Sequence, residues 1–184
     1  MIKLNARQLR NYEKDKENKR EQADKIKKNP IYIVLDNVLD TYNIGSIFRL
    51  ADAVWAEEVI ICGQSEIPPN TRIKKASINT TEWVKWRYED KTLEALKKLK
   101  LKEPRLKIVA VEQDKRSIPY TEMKWELPVA VVVGNETNGV SKEVLEMCDG
   151  IVELPMFGVN ISLNVMVSLG IALYKIVEGV QTRA

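Results

Sequence analysis

Five short runs of aliphatic and β-branched residues limit what this chain can fold into: IYIVLD (31–36), EVIICG (58–63), KIVAVE (107–112), PVAVVVGN (128–135) and IVELP (151–155). A strand with one wet face alternates polar and apolar residues. These runs do not alternate, so each fits a strand covered on both sides. Between them lie segments with helical spacing, IGSIFRLADAV (44–54), TLEALKKLK (92–100) and SKEVLEMC (141–148). Strands that alternate with helices are joined by right-handed crossovers into a parallel sheet, so the pattern predicts an α/β domain.

The flanks differ from this body. Residues 162–180, SLNVMVSLGIALYKIVEGV, are apolar nearly all round and predict a helix buried in the domain or in a subunit interface. The first 29 residues predict a basic arm, with a short amphipathic helix carried by Ile2, Ala6, Leu9 and Tyr12 and a polar run that Pro30 ends. The division is therefore an N-terminal helical arm over 1–29 and one domain over 30–184. No stretch approaches the roughly 20 apolar residues of a membrane span, and the charged N-terminus has no secretory pattern, so the expected location is the cytoplasm.

Composition removes several chemistries. The chain has no histidine, which excludes a serine–histidine–carboxylate triad, a histidine general base and histidine-ligated zinc. Cys62 and Cys148 are far apart in apolar or mixed segments and read as free thiols, and no metal site is expected. The net charge of +3 is strongly segregated. Residues 1–30 hold ten Lys or Arg against five acids, residues 72–107 hold twelve against five, and the remainder sums to −9. Such segregation suits a polyanion partner, while solvated helix faces account for it equally. Within the second basic segment Trp83, Trp86 and Tyr88 stand among Arg72, Lys74, Lys75, Lys85 and Arg87. Aromatic rings between cations fit a groove for unpaired nucleotides, and they fit core packing just as well.

In open parallel sheets ligands bind beyond the carboxyl ends of the strands, which directs attention to three loops. The first run leads to Asn43-x-Gly45-x-x-x-Arg49, the fourth to Gly134-Asn135-Glu136-x-x-Gly139-Val140, and the fifth to Pro155-Met156-x-Gly158 and then Ser162-Leu163-Asn164. Singly, each has a structural explanation. Asn43 suits a helix cap, Arg49 can pair with Asp52, Glu136 can accept amides at the start of the helix that Ser141 caps, and Ser162 suits the cap of the last helix with Asn164 in its first turn. No glycine-rich dinucleotide fingerprint or P-loop follows the first strand.

Taken together, NIGSIFRLADA, VVVGNETNGVSKEVL and VELPMFGVNISLNVMVSLGIAL resemble, in order and separation, the three signature motifs of the SpoU, or TrmH, family of RNA ribose 2′-O-methyltransferases. The resemblance covers roughly residues 30–180. It implies the SPOUT fold, a parallel sheet flanked by helices whose C-terminal part forms a deep trefoil knot around S-adenosylmethionine, and a homodimer built on the knot and the last helix. It implies catalytic roles for Asn43, Arg49, Glu136, Ser162 and Asn164, and cofactor contacts from Gly134, Leu154, Leu163, Val111, Met156 and Asn135. Arg49, Arg72, Lys74 and Lys75 are then the expected RNA contacts, with transfer or ribosomal RNA as substrate. A non-catalytic knotted RNA-binding protein and a knotted enzyme methylating a base nitrogen are the alternatives.

Overall fold

A computed structural model describes residues 27–181. The arm expected over 1–29 lies, except for its last three residues, outside the described residues. The rest forms one seven-stranded sheet in which every pairing is parallel. In chain order the elements are β1 (Asn29–Asp36), α1 (Thr41–Ala53), β2 (Ala56–Cys62), α2 (Thr71–Ser77), β3 (Trp86–Glu89), α3 (Thr92–Lys102), β4 (Lys107–Val111), β5 (Ile118–Pro119), β6 (Val129–Gly134), α4 (Lys142–Met147), β7 (Gly150–Glu153) and α5 (Val165–Gln181). The strand order is β3-β2-β1-β6-β4-β7-β5.

The apolar runs form strands because both faces are covered. Ile31, Ile33 and Leu35 of β1 pack with Ile44, Ile47 and Phe48 of α1, Ile73 of α2 and Leu169 and Leu173 of α5. Tyr32 and Val34, on the opposite face, pack with Leu96 and Leu99 of α3 and Val144 and Leu145 of α4. Each such side chain removed from water contributes about 1.5–3 kcal/mol. The central strands are therefore the part least prone to open.

Two strands are additions to the sequence expectation. β5 is two residues long, too short for any periodic signal. β3 joins the outer edge of the sheet beside β2 and contains Trp86, Arg87 and Tyr88. Trp83 and Trp86 pack against the core, Trp86 meets Phe48 edge-on at 6.4 Å, and Trp83 Nε1 donates to Asp52 Oδ1 at 2.6 Å. The aromatic and cationic stretch is thus an edge strand with two anchored tryptophans. Asp52 accepts from Trp83, and no hydrogen bond or ion pair joins it to Arg49. Burial raises the Asp52 carboxyl above its ordinary value, and the indole donor opposes that.

Both cysteines are free thiols, and burial pushes each up to about 12, which leaves them unreactive. Among the described residues no helix is long and apolar enough to cross a membrane.

Candidate active site

The sheet order reverses between β1 and β6. The chain leaves β1 toward β2 on one side, whereas β6 lies on the other, and the crevice at such a switch point opens beyond the strand ends. Register fixes those ends level with one another, since Asp36 pairs with Cys62 on one side and Gly134 on the other. Asp36 is buried and ties the rim together. Its Oδ1 accepts from Thr92 Oγ1 at 2.6 Å and Asn37 Nδ2 at 3.0 Å, and its Oδ2 accepts the amide of Ser141 at 2.8 Å. A buried carboxylate with three donors holds three loops in one geometry.

Across this crevice runs a chain of three side chains. Asn43 Nδ2 donates to Glu136 Oε1 at 3.0 Å, and Asn164 Nδ2 donates to Asn43 Oδ1 at 3.0 Å. Glu136 also accepts the amides of Leu39 and Asp40, each at 3.1 Å. Three loops distant in sequence therefore meet at Asn43, which is 6% exposed. Burial raises the Glu136 carboxyl, but the donors from Asn43, Leu39 and Asp40 prevail and hold it below its ordinary value. At neutral pH Glu136 is an ionised acceptor with its donors already in place. It is suited to orienting other groups and poorly suited to removing a proton.

These bonds correct three expectations about caps. Asp40 caps α1, accepting from the amide of Tyr42 at 2.7 Å, so Asn43 lies inside the first turn and is free to face the crevice. Asn164 caps α5, accepting from Met166 at 3.0 Å and Val167 at 3.4 Å, while Ser162 lies before the helix, exposed, its amide donating to Asn160 Oδ1 at 3.4 Å. Ser141 holds the cap position of α4 without a side-chain cap bond, and Glu136 serves the loop before α1 instead.

Gly45 has a packing reason. A Cβ there would stand 2.6 Å from Ala76 Cβ and 2.7 Å from the Ile73 carbonyl oxygen, so its absence lets α1 and α2 touch. Gly134 is more constrained still. A Cβ on it would fall 2.2 Å from the carbonyl carbon of Gly139 and from the nitrogen of Val140. The loop over 135–139 folds back over the end of β6, closed by paired main-chain bonds between Asn135 and Gly139. Asn135 spends its carboxamide on accepting from Thr137 and Asn138 within this loop and on donating at 2.9 Å to the Asn37 carbonyl after β1.

The other expected residues fall into two groups. Val111, Leu154 and Met156 are half-buried near the ends of β4 and β7, and Leu163 is more exposed beside them. Among the described residues, no main-chain to main-chain hydrogen bond engages residues 154–163. Apart from the Ile161 carbonyl, which accepts from Gln113, and the Ser162 amide, which donates to Asn160, these amides and carbonyls stand beside apolar side chains and suit an adenosine-type cofactor, which needs polar edges matched and ring faces covered. Arg49, in contrast, points to solvent from the outer side of α1, with no hydrogen bond or ion pair to another described residue. Arg72, Lys74 and Lys75 are likewise exposed, on α2. The structure joins Asn43, Glu136 and Asn164. It does not join Arg49 or Ser162 to them.

Sequence reasoning missed Asp36, Leu39 and Asp40. Asp36 ends a strand run and reads as its boundary, while Leu39 and Asp40 act through main-chain amides that no side-chain motif reports.

Comparison with known proteins finds the same fold. Residues 30–174 match the SpoU rRNA Methylase family. The tRNA (guanosine(18)-2′-O)-methyltransferase of Aquifex aeolicus is 35% identical over 160 residues, covering 85% of this chain and 72% of that protein. The crystal structure of the A. aeolicus TrmH/SpoU tRNA modifying enzyme superposes with a TM-score of 0.77 at 30% identity, covering 93% of this chain and 85% of that one. An AdoMet-bound rRNA methyltransferase from Sinorhizobium meliloti gives a TM-score of 0.74 at 25% identity, covering 81% and 56%. Other curated relatives are longer, and the chain spans 61% and 62% of two of them.

Proposed function

Because the chain belongs to the SpoU rRNA methylase family, we propose that it transfers a methyl group from S-adenosylmethionine to a ribose 2′-hydroxyl of structured RNA, either transfer or ribosomal RNA. The observation that carries this reading is the Glu136–Asn43–Asn164 chain at the switch point. A protein that only bound RNA has no use for a relay of three polar side chains drawn from separate loops and centred on the buried Asn43. The relatives named for guanosine 2′-O-methylation support ribose over base nitrogen as the target.

The cofactor is held by the main chain of 154–163 and by Gly134, with Val111, Leu154, Met156 and Leu163 as apolar walls. When bound, S-adenosylmethionine supplies an electrophilic methyl group on a sulfonium. The protein's work is placement, and correct alignment of two reactants lowers a barrier by roughly 7–11 kcal/mol. Asn43 is locked by Glu136 and Asn164, so the carboxamide has one orientation and the loops around the ribose have one spacing. Arg49, on the free side of α1, clamps a phosphate next to the reacting ribose and stabilises the oxygen as its proton passes to solvent water. A guanidinium stays charged, so this role needs no deprotonation. Ser162 lies where the chain leaves the cofactor loop and hydrogen-bonds substrate or cofactor. Arg72, Lys74 and Lys75 meet the RNA backbone.

The unit is a homodimer in the cytoplasm. Phe157 and Val159 are 96% and 103% exposed, Ile161 is exposed beside them, and an apolar loop of that size on one protomer fits burial against a second copy. The trefoil knot of the family is supported by two long-range bonds. Gln113 Nε2, after β4, donates to the Ile161 carbonyl at 2.6 Å, and Asn164 reaches Asn43, so the chain after β7 is tied to the loop of β4 and to the first turn of α1. Calorimetry tests the cofactor half of the reading. Heat of binding on titration with S-adenosylmethionine is expected, and its absence at millimolar cofactor supports the non-catalytic RNA-binding alternative.

A further inference from the structure

Where the chain leaves β4, two adjacent side chains reach two separate loops of the site. Glu112 accepts from the loop after β6, and Gln113 donates to the loop after β7. We propose that Gln113, aimed by Glu112, is a positioning residue for S-adenosylmethionine, holding the 154–163 loop in a fixed place relative to the 135–140 loop through the Ile161 carbonyl. The inference rests on the methyltransferase reading and adds the residues that set cofactor affinity without a part in the transfer step.

The first observation is how little holds the 154–163 loop. Its ends are fixed. Glu153 accepts the Tyr120 amide on its carbonyl at 2.9 Å and the Ser117 hydroxyl on Oε2 at 2.9 Å, and Asn164 donates to Asn43 at 3.0 Å. Between these points, among the described residues, one hydrogen bond joins the loop to the rest of the chain, from Gln113 Nε2 to the Ile161 carbonyl at 2.6 Å. The bond from the Ser162 amide to Asn160 is internal to the loop. A loop with a single lateral tie gains conformations when that tie is lost, and binding must then order it at a cost in affinity.

The second is what aims Gln113. The Glu112 amide donates to the Val152 carbonyl at 2.9 Å, which pins the main chain to β7. Its carboxylate is spent on both sides, Oε2 accepting the Val140 amide at 2.8 Å and Oε1 accepting the amide of Gln113 at 2.8 Å. Gly139 shows how closely that carboxylate is seated, since φ there is +67° and a Cβ would collide with Glu112 Oε2. Glu112 thus fixes the 135–140 loop against the end of β4, and Gln113 starts from the same fixed point toward Ile161. The residue type fits the task. A carboxamide donates to a neutral carbonyl, which an ionised carboxylate at the same place cannot do.

The test is calorimetry of the intact protein with S-adenosylmethionine and, separately, with S-adenosylhomocysteine. Gln113→Met keeps the length of the side chain and removes the donor, and it should weaken both ligands by about three- to tenfold, the range that one net hydrogen bond covers. Gln113→Glu sets a carboxylate against the Ile161 carbonyl and should weaken both further. The loss is expected to be equal for the two ligands, because Gln113 places the loop and not the methyl group. With total RNA as acceptor, KM for the cofactor should rise in step with Kd while kcat at saturating cofactor stays at the wild-type value, since Glu136, Asn43 and Asn164 keep their bonds. Melting temperatures of the cofactor-free proteins should coincide. Wild-type affinity in Gln113→Met, or a loss confined to kcat or to one of the two ligands, overturns the role of Gln113 and leaves the enzyme reading intact. A wild type that gives no heat of binding at millimolar cofactor strikes the enzyme reading, and the role of Gln113 with it.

Discussion

Asn43 and Glu136, 93 residues apart in the chain, share a hydrogen bond of 3.0 Å beneath the crevice between β1 and β6. Asn43 touches both other loops, through Glu136 and Asn164. Replacing it with Ala removes both bonds, but the Asp40 amide stays on the same Glu136 oxygen and the Asn164 amide can turn to water, so the cost is about 0.5–1.5 kcal/mol for each bond lost. Asn43→Ala is expected to lower methyl transfer by at least about tenfold, as misplacement of reactants does. A kinetic assay and a thermal melt check it together. Asn43→Asp should be worse than Ala in both, because it sets a second carboxylate against Glu136.

Acid should undo the same relay. The folded-state carboxyl of Glu136 is lowered, so its contribution to stability is complete above the ordinary glutamate range and is lost as pH falls through the lowered value. Glu136→Gln turns one acceptor into a donor facing the amides of Leu39 and Asp40. The stability gap between wild type and Glu136→Gln, measured by denaturant titration, should be widest near neutral pH and close progressively below the ordinary range. A gap that stays constant into acid removes the charge from the explanation.

Arg49 is bound to no other described residue, so its replacement should spare the fold. Arg49→Ala is expected to abolish turnover while leaving the heat of S-adenosylmethionine binding nearly unchanged. Lys in its place should restore little, since an ammonium lacks the planar fork that grips a phosphate. Retained turnover in Arg49→Ala takes it out of the reaction.

Salt dependence reports on α2. Lys74 and Lys75 are exposed on adjacent positions. If both meet phosphates, the double alanine variant binds RNA more weakly, and the slope of log affinity against log salt falls by about 1 for each phosphate no longer neutralised. An unchanged slope assigns both lysines to solvation.

The glycine at position 45 gives a prediction about the fold. Gly45→Ala forces Cβ into the seam between α1 and α2, and overpacking of this kind costs about 1–3 kcal/mol. A calorimetric scan should record a lower melting temperature. An unchanged one means that the two helices can part without cost.

Much of this architecture was legible in the sequence because the central strands are buried on both faces and say so in unbroken aliphatic runs. β3 was not, since an edge strand mixes polar and apolar residues, and Trp86, Arg87 and Tyr88 read equally as a nucleotide groove. The site was partly legible. Asn43, Glu136 and Asn164 stand out at strand ends, yet Asp40 and Asn43 are both cap-type residues, as are Ser162 and Asn164. Local chemistry cannot choose between members of such a pair. For the first pair the choice is made by Glu136, which engages Asn43 from the far side of the crevice and leaves Asp40 to cap the helix.

The most direct measurement follows the methyl group itself. The protein is incubated with total RNA and S-adenosylmethionine labelled in its methyl carbon, and the RNA is digested to nucleosides. The account predicts label in a 2′-O-methylated nucleoside, strongly reduced when Asn43→Ala replaces the wild type. Label on a base nitrogen, or wild-type transfer by the Asn43 variant, contradicts it.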